Sequence, residues 1–593
     1  MSETLSRMFL HILKTYPKNN TLQSKKDGRY APISTEEFGN RVKYLSLGLK
    51  DLGVSTGDKL VILAENGPDW IITDYANLCL GGVTVPIYTS LMPEPIKYII
   101  NDSDARVVVC AGVPLWQKLE IIKNELPQVK HFISLEEQGP DWALNAARIS
   151  ERGKELHMKN PGLFERAALA VRPDDLASII YTSGTTGIPK GVMLSHLNFT
   201  SNVKSMDAVV DFNVTDQVLT FLPLSHVLEH MTTFAFLFKG CSIAYAETIE
   251  TVAENLVEVR PTIMVSVPRL FEKIYTKVTD AVLAGSPLKR KIFSWALNTG
   301  KACSRKKLLH QPVAGGLRFK QKLAHKLVFS KILEKTGGHV KFFVSGGAPL
   351  SKDIAEFFHA LGIVILEGYG LTETAPVVAC NTFDRLKFGT VGPPVPGVEI
   401  KIAADGEILV KGPNVMKGYY KKEAETREVF DGEGWFHTGD IGRLDDEGFL
   451  VITDRKKDII ITAGGKNVAP QPIENKLKQN PFISNAVVVG SRRKFISALI
   501  VPNFDKLTSH ARDNGIPFHG TGDLVRNPKI VEFLMSEVDR ATPQLASFEK
   551  IKRIALLERD FEIDQNEMTP TLKVKRSFVE EKHKALIDSL YND

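Results

Sequence analysis

"VKFFVSGGAPLSKDIAEFFHALGIVILEGYG", residues 340–370, reads as strand, glycine turn, helix and strand in one uninterrupted run. A strand feeding a helix that returns to a second strand is the unit of a parallel α/β sheet. In the first turn, Gly346, Gly347 and Ala348 permit close backbone approach to a flat ligand, although an ordinary strand–helix turn has the same composition. The second strand, "GIVIL", leads into "EGYGLTET" (367–374), which places Thr372 and Glu373 at a strand end. Open α/β sheets bind their ligands there. A hydroxyl beside a carboxylate suits a phosphate-bound Mg²⁺, a hard cation that takes oxygen ligands, and equally suits a helix cap.

The same alternation extends outward from this unit. Between residues 40 and 180, "EEFGNRVKYLSLGLKDLG" and "DWIITDYANLCLGG" read as helices, and "DKLVILAEN", "VTVPIY" and "ARVVVC" as strands. "TIMVSVPRLFEKIYTKV" repeats the strand–helix step. Beyond about residue 385 the texture changes to short strands with turns, as in "EILVKG" and "GFLVITD". From about 455 a separate set of strands and helices follows ("NAVVVGS", "FISALIVPN", "KIVEFLMSEVDRAT"). The expected fold is therefore α/β: a large N-terminal domain of layered α/β sheets plus a small β-subdomain, then a smaller α+β domain. We place the boundary between 1–454 and 455–593.

A second glycine-rich stretch, "YTSGTTGIPKGV" (181–192), lies between the strand "DLASIIY" and a helix beginning near Ser195. It is not a Walker loop: Gly184 and Gly187 are three apart, and Lys190 is followed by Gly191 rather than Ser or Thr. Glycines that let backbone N–H groups converge, hydroxyls that add donors and a lysine that adds a point charge still suit phosphate. A flexible hairpin has a similar composition.

The 593-residue chain has the 43% apolar content of a globular enzyme. Its five cysteines, Cys79, Cys110, Cys241, Cys303 and Cys380, have no metal-site or disulfide spacing, which fits a reducing, cytoplasmic compartment. The run "MFLHIL" is too short for a signal peptide. "MTTFAFLFKGCSIAYA" (231–246) carries Lys239 and falls short of the ~20 apolar residues of a membrane span. The net charge of +6 is unevenly spread. From Lys289 to Lys335 thirteen Lys/Arg face one acid, Glu334, so this segment carries +12 and the remainder −6. Its "FSWALNTG" and "LAHKLVFSKILEK" interleave apolar and basic residues, the pattern of a surface that seeks anionic lipid. A solvated helical face, or a surface that attracts a polyphosphate ligand or nucleic acid, accounts for the same run. The expected location is cytoplasmic, with peripheral contact on the inner face of the membrane through 289–335.

Three more stretches complete the pattern. "GWFHTGD" ends in Asp440, "DRKKDIIITAGGKN" (454–467) begins with Asp454 and Arg455, and "TPTLKVKR" (569–576) carries Lys573. With the two glycine turns and "EGYGLTET", these motifs resemble, in order over roughly residues 30–580, the ANL superfamily of adenylate-forming enzymes. "FLPLSHVLEH" (221–230), "VPRLFEKI" (267–274) and "DRKKDII" are most similar to bacterial long-chain fatty acyl-CoA synthetases. The tail departs from many relatives, with Thr-Leu-Lys where they have Ser-Gly-Lys.

The resemblance implies ATP-dependent activation of a fatty acid to acyl-AMP, then thioesterification with CoA, with release of pyrophosphate and AMP. It implies that Thr182, Ser183, Gly184, Thr185, Thr186 and Lys190 hold pyrophosphate, that Thr372 touches the α-phosphate, and that Glu373 holds Mg²⁺. Gly347, Ala348, Pro349 and Tyr369 would frame adenine, with Glu367 and Gly368 in the same nucleotide-binding set. Asp440 and Arg455 would bind ribose. Lys573 would bridge the carboxylate and the α-phosphate. The C-terminal domain would be mobile, turning about a hinge near Lys457 to bring Gly464 and Gly465 to pantetheine. His226 would border an acyl pocket built from "HMTTFAFLF", a stretch that also reads as a plain buried helix. The implied partners are fatty acid, ATP and CoA, without nucleic acid. An adenylating enzyme for another acid or a carrier-protein thiol, and a catalytically silent lipid- or nucleotide-binding relative, are the alternatives.

Overall fold

The 340–370 run folds as read, into the strand Phe342–Ser345, the helix Lys352–Leu361 and the strand Val364–Gly370. The two strands pair in parallel, Phe342 opposite Val364 and Ser345 opposite Glu367. They belong to an eight-stranded sheet in the order 377–380, 364–370, 342–345, 263–266, 217–220, 242–245, 22–26, 29–33. Gly347 turns the chain out of the sheet at φ 78°, a left-handed conformation that disfavours side chains. At Gly370 a Cβ would lie 1.9 Å from the Pro376 carbonyl oxygen, so only glycine lets the 377–380 strand close back. The structure, a computed structural model, describes residues 4–182, 188–562, 565–569 and 573–592.

A second eight-stranded sheet runs 418–419, 190–195, 176–182, 83–86, 59–63, 105–110, 131–134, 144–145. Its central strands 83–86, 59–63 and 105–110 pair in parallel, and apart from Lys59 and Arg106 their side chains are buried, as their continuous apolar runs require. The strand Lys190–Ser195 folds back antiparallel on Leu176–Thr182, an element not anticipated between the glycine loop and the helix. A four-stranded antiparallel sheet, ending in Phe436–Leu444 and Leu450–Arg455, forms the small β-subdomain.

One large apolar core joins the first sheet, much of the second and part of the four-stranded sheet. From Ile460 onward the apolar side chains pack into cores of their own around a three-stranded sheet. Polar contacts connect this C-terminal part to the rest: Lys506–Asp280 at 2.7 Å, Arg269 to the Ser484 carbonyl at 3.2 Å, and Gln479–Ser351 at 2.7 Å. Among the described residues no helix is long and apolar enough to cross a membrane. The lipid-like stretch 231–246 is core: the buried helix Val227–Phe238 followed by the buried strand Ser242–Tyr245.

Candidate active site

The C-terminal ends of the parallel strands open into a cavity of about 800 Å³. One end of it is cationic and hydroxyl-rich. Thr182, Lys190, Thr372, Glu373, Arg455, Lys456, Lys457 and Lys573 line it, together with Tyr369 and Tyr419. The other end is an apolar arm walled by Met206, Val210 and Phe212, by Phe342 and Val344, and by one face of the Val227–Phe238 helix. That face consists of Val227, Leu228, Met231, Thr232, Ala235 and Phe236, at helical spacing. The opposite face is tied into the core through His230, 2.8 Å from Asp74.

Backbone chemistry fixes the polar end. Thr182 and Lys190 are register partners across the base of the hairpin, which brings the lysine to the cavity. Its ammonium lies 5.1 Å from the centre of the Tyr419 ring, in cation–π range. The Tyr419 hydroxyl donates to Glu373 Oε1 at 2.9 Å. Met416 N–H donates to the Glu373 carbonyl, and Asn414 Nδ2 to the carbonyls of Thr374 and Val377. Asn198, in the capping box of the helix His196–Val209, holds the 413–415 segment by donating to two of its carbonyls at 2.8 Å. Thr372 and Glu373 thus sit in a tight turn pinned by the 414–419 segment, which Asn198 holds in its turn.

Asp440 is absent from the lining of the cavity, between Gly439 and the paired Arg455 that do line it. It is buried within the strand Phe436–Leu444, opposite Arg455. Both of its oxygens are engaged: Oδ2 accepts from the Tyr369 hydroxyl at 2.7 Å, and Oδ1 lies 3.1 Å from Arg455 Nε. Burial, with Asp440 next, raises the Tyr369 phenol well above its ordinary value, so it is a donor. Asp440 therefore orients two side chains that line the cavity.

Lys573 immediately precedes Val574, which bridges to Met568, and its N–H donates to Thr569 Oγ1 at 3.1 Å. Burial, and after it the Arg455 charge, lowers its pKa. The same causes, in the same order and with Lys190 third, lower Lys457. Such a crowd of cations stores repulsion that a polyanionic ligand would relieve. Lys573 also borders a second cavity of about 110 Å³, and it is this one that Ala348 and Pro349 line, while Gly347 lines the large one.

Not every anticipated residue reaches the site. Glu367 is buried in its strand, and burial pushes its carboxyl up to about 8, whereas its neighbour Gly368 lines the cavity. Gly464 and Gly465 are exposed in the turn between Ile461 and Asn467, outside both cavities. His226 lines the large cavity, but its Nδ1 accepts from Leu228 N–H as the N-cap of the helix. Burial lowers its pKa to about 4, so it is a neutral imidazole. Ser183, Gly184, Thr185 and Thr186 lie outside the described residues, as do Thr571 and Leu572. Sequence reasoning missed Tyr419 and Lys456; "GYYKK" (418–422) carries no signal beyond paired aromatics and lysines. Lys456 is held at 2.7 Å from Asp405 and 2.9 Å from Glu407.

Residues 11–420 match the model of the AMP-binding enzyme family, and residues 457–593 that of the AMP-binding enzyme C-terminal domain. The chain belongs to the AMP-binding enzyme family. Among relatives of this family, the long-chain-fatty-acid–CoA ligase FadD15 of Mycobacterium bovis is 38% identical, with 95% of this chain and 93% of that protein aligned. The peroxisomal long chain acyl-CoA synthetase 7 of Arabidopsis thaliana is 33% identical over 97% of this chain and 84% of its own. The crystal structure of the anthranilate CoA ligase AuaEII in complex with anthranoyl-AMP shares the fold, with a TM-score of 0.73 at 20% identity, covering 99% of this chain and 98% of that one.

For Mg²⁺, among the described residues no group of three or more His, Cys, Asp and Glu can hold a metal. A lone carboxylate, Glu373, beside the Thr372 hydroxyl fits the way Mg²⁺ is held when phosphates and water supply the other ligands.

Proposed function

We propose that this chain is a long-chain fatty acid–CoA ligase that uses ATP to form an acyl-AMP and then transfers the acyl group to CoA. The observation that carries the reading is the single cavity that joins a cationic end to an apolar arm. A carboxylate is a poor electrophile; attack of its oxygen on the α-phosphorus of ATP expels pyrophosphate and leaves a mixed anhydride. The CoA thiol then attacks the acyl carbon, loses its proton and expels AMP.

Both reactants of the first step are anionic, so the protein's work is charge neutralisation and in-line placement. Thr182 and Lys190, with Ser183, Gly184, Thr185 and Thr186, take the leaving pyrophosphate. Thr372 meets the α-phosphate, and Lys573 spans carboxylate and phosphate oxygens, where a compact ammonium suits developing charge. Glu373 holds Mg²⁺, which when bound neutralises phosphate charge. Gly347 and Tyr369 frame adenine, with Ala348 and Pro349 behind it. Arg455 meets the ribose, and Asp440, each of whose oxygens keeps a lone pair beyond its present partner, accepts from the ribose hydroxyls. His226 is the neutral wall between the two ends.

We assign 1–454 and 455–593 to two domains that turn about Lys457, which clears Lys573 from the site and brings Gly464 and Gly465 to pantetheine. Support comes from the separate cores and from family matches that stop at 420 and resume at 457. The reading also includes peripheral contact with an anionic membrane through 289–335.

The test follows AMP and pyrophosphate release from ATP and Mg²⁺ with acids from acetate to oleate, with and without CoA. CoA-dependent AMP release that rises toward the long acids is expected. CoA-independent AMP formation, or no turnover with any acid, would contradict it.

A further inference from the structure

The basic segment gains a face in the structure. It folds as the helix Pro287–Leu308 and the helix Gly315–Ala324, which continues through a π turn, His325–Phe329. Ala324 and Phe329 are buried and anchor the second helix to the core. On its outer side Phe319, Leu323 and Leu327 recur every fourth residue, one ridge on one face, and are 71%, 40% and 47% exposed. Leu288 and Leu309, at the two ends of the first helix, are also exposed.

All thirteen Lys/Arg of the segment are exposed. Among the described residues none of them reaches a carboxylate at ion-pair distance. Arg290 donates to the Gly285 carbonyl at 3.1 Å and Lys306 to Gln311 at 2.7 Å. Elsewhere exposed cations find acids readily, as Lys421 does with Asp104 and Arg526 with Glu558. Arg318, Lys320, Lys322 and Lys326 flank the apolar ridge.

We infer that this helical pair docks on the surface of an anionic lipid bilayer, with Phe319, Leu323 and Leu327 entering the headgroup–acyl boundary and the flanking cations meeting lipid phosphates. A solvated face would have no use for the ridge. Nucleic acid would take the charge but leave three large apolar side chains without a partner, whereas a lipid interface takes both. The inference deepens the ligase reading and rests on it for purpose alone: a long-chain acid resides in membranes, so an enzyme held there meets its substrate.

The experiment is co-sedimentation of the full chain with vesicles of phosphatidylcholine, with and without phosphatidylglycerol. Two triple variants are compared, Lys320→Glu/Lys322→Glu/Lys326→Glu and Phe319→Ser/Leu323→Ser/Leu327→Ser. All six positions are exposed and outside the site, so folding is checked by an unchanged melting curve. Binding only to the anionic vesicles, weakened at high salt and by roughly tenfold or more in each variant, is expected. Equal retention on plain phosphatidylcholine, unchanged binding of either variant, or tighter binding to a duplex DNA fragment would overturn it. Acid-dependent AMP release without vesicles, on the same preparations, reports the ligase reading separately.

Discussion

His196 and Glu229 are both buried, and their protonation states set opposite limits on stability. His196 Nδ1 accepts from the backbone N–H of Leu5 at 3.2 Å, so the imidazole is neutral, and burial holds its pKa at about 4. Below its ordinary value of 6.5 the unfolded chain binds the proton and the folded chain does not. Stability therefore falls as pH drops through 6.5 toward 4, by at most ~1.4 kcal/mol per pH unit. His196→Asn, which keeps an acceptor without a titrating ring, should shallow that acid limb in urea unfolding; an identical slope would contradict it. Glu229 accepts from the Thr220 hydroxyl, and burial pushes its carboxyl up to about 8. Here the unfolded chain loses its proton first, so stability falls as pH rises from about 4.5 to about 8. Glu229→Gln should melt higher than the native chain by a margin that grows over that window, and a constant margin would count against this account. Neither state was legible in the sequence, because burial of one side chain depends on what packs over it. Asp440 is a further case: "GWFHTGD" announces an acceptor but not that Tyr369 and Arg455 are its partners.

At the scale of elements the sequence was more informative. The 340–370 run, the strands of residues 59–110 and the C-terminal set fold as the alternation of apolar segments reads. The strand Lys190–Ser195 was missed because six residues between a glycine loop and a helix cap leave no room for a periodic signal. The helix Val227–Phe238 combines two readings of one stretch, a core helix on one face and a cavity wall on the other. Burial of each methylene contributes ~0.8 kcal/mol, so shortening the arm should shift chain-length preference. We predict that Ala235→Trp lowers kcat/KM for hexadecanoate about 50-fold, equivalent to some three displaced methylenes, and spares shorter acids. Uniform loss across acids would mean that Ala235 does not face the acyl chain.

The whole molecule poses the question of movement. Lys506–Asp280 and Gln479–Ser351 bridge the C-terminal part to the rest while Lys573 faces the cavity, an arrangement suited to adenylation. All five native cysteines are buried, so cysteines introduced at positions 280 and 506 would react selectively with a bifunctional maleimide. The crosslinked protein should form acyl-AMP at close to the native rate and fail to convert it to acyl-CoA. Retention of both steps would remove the domain rotation. No periodicity in the sequence announces this geometry; it depends on how two separately packed cores meet.

The central claim, that Lys573 completes one site for acid and ATP, is tested most directly by measuring the half-reactions of Lys573→Ala. The account predicts that pyrophosphate exchange driven by a long-chain acid falls by on the order of 100-fold or more, as expected when a charge that stabilises the transition state is removed. Thioester formation from supplied acyl-AMP and CoA should persist at near-native rate. Equal loss of both half-reactions, or intact exchange, would contradict it.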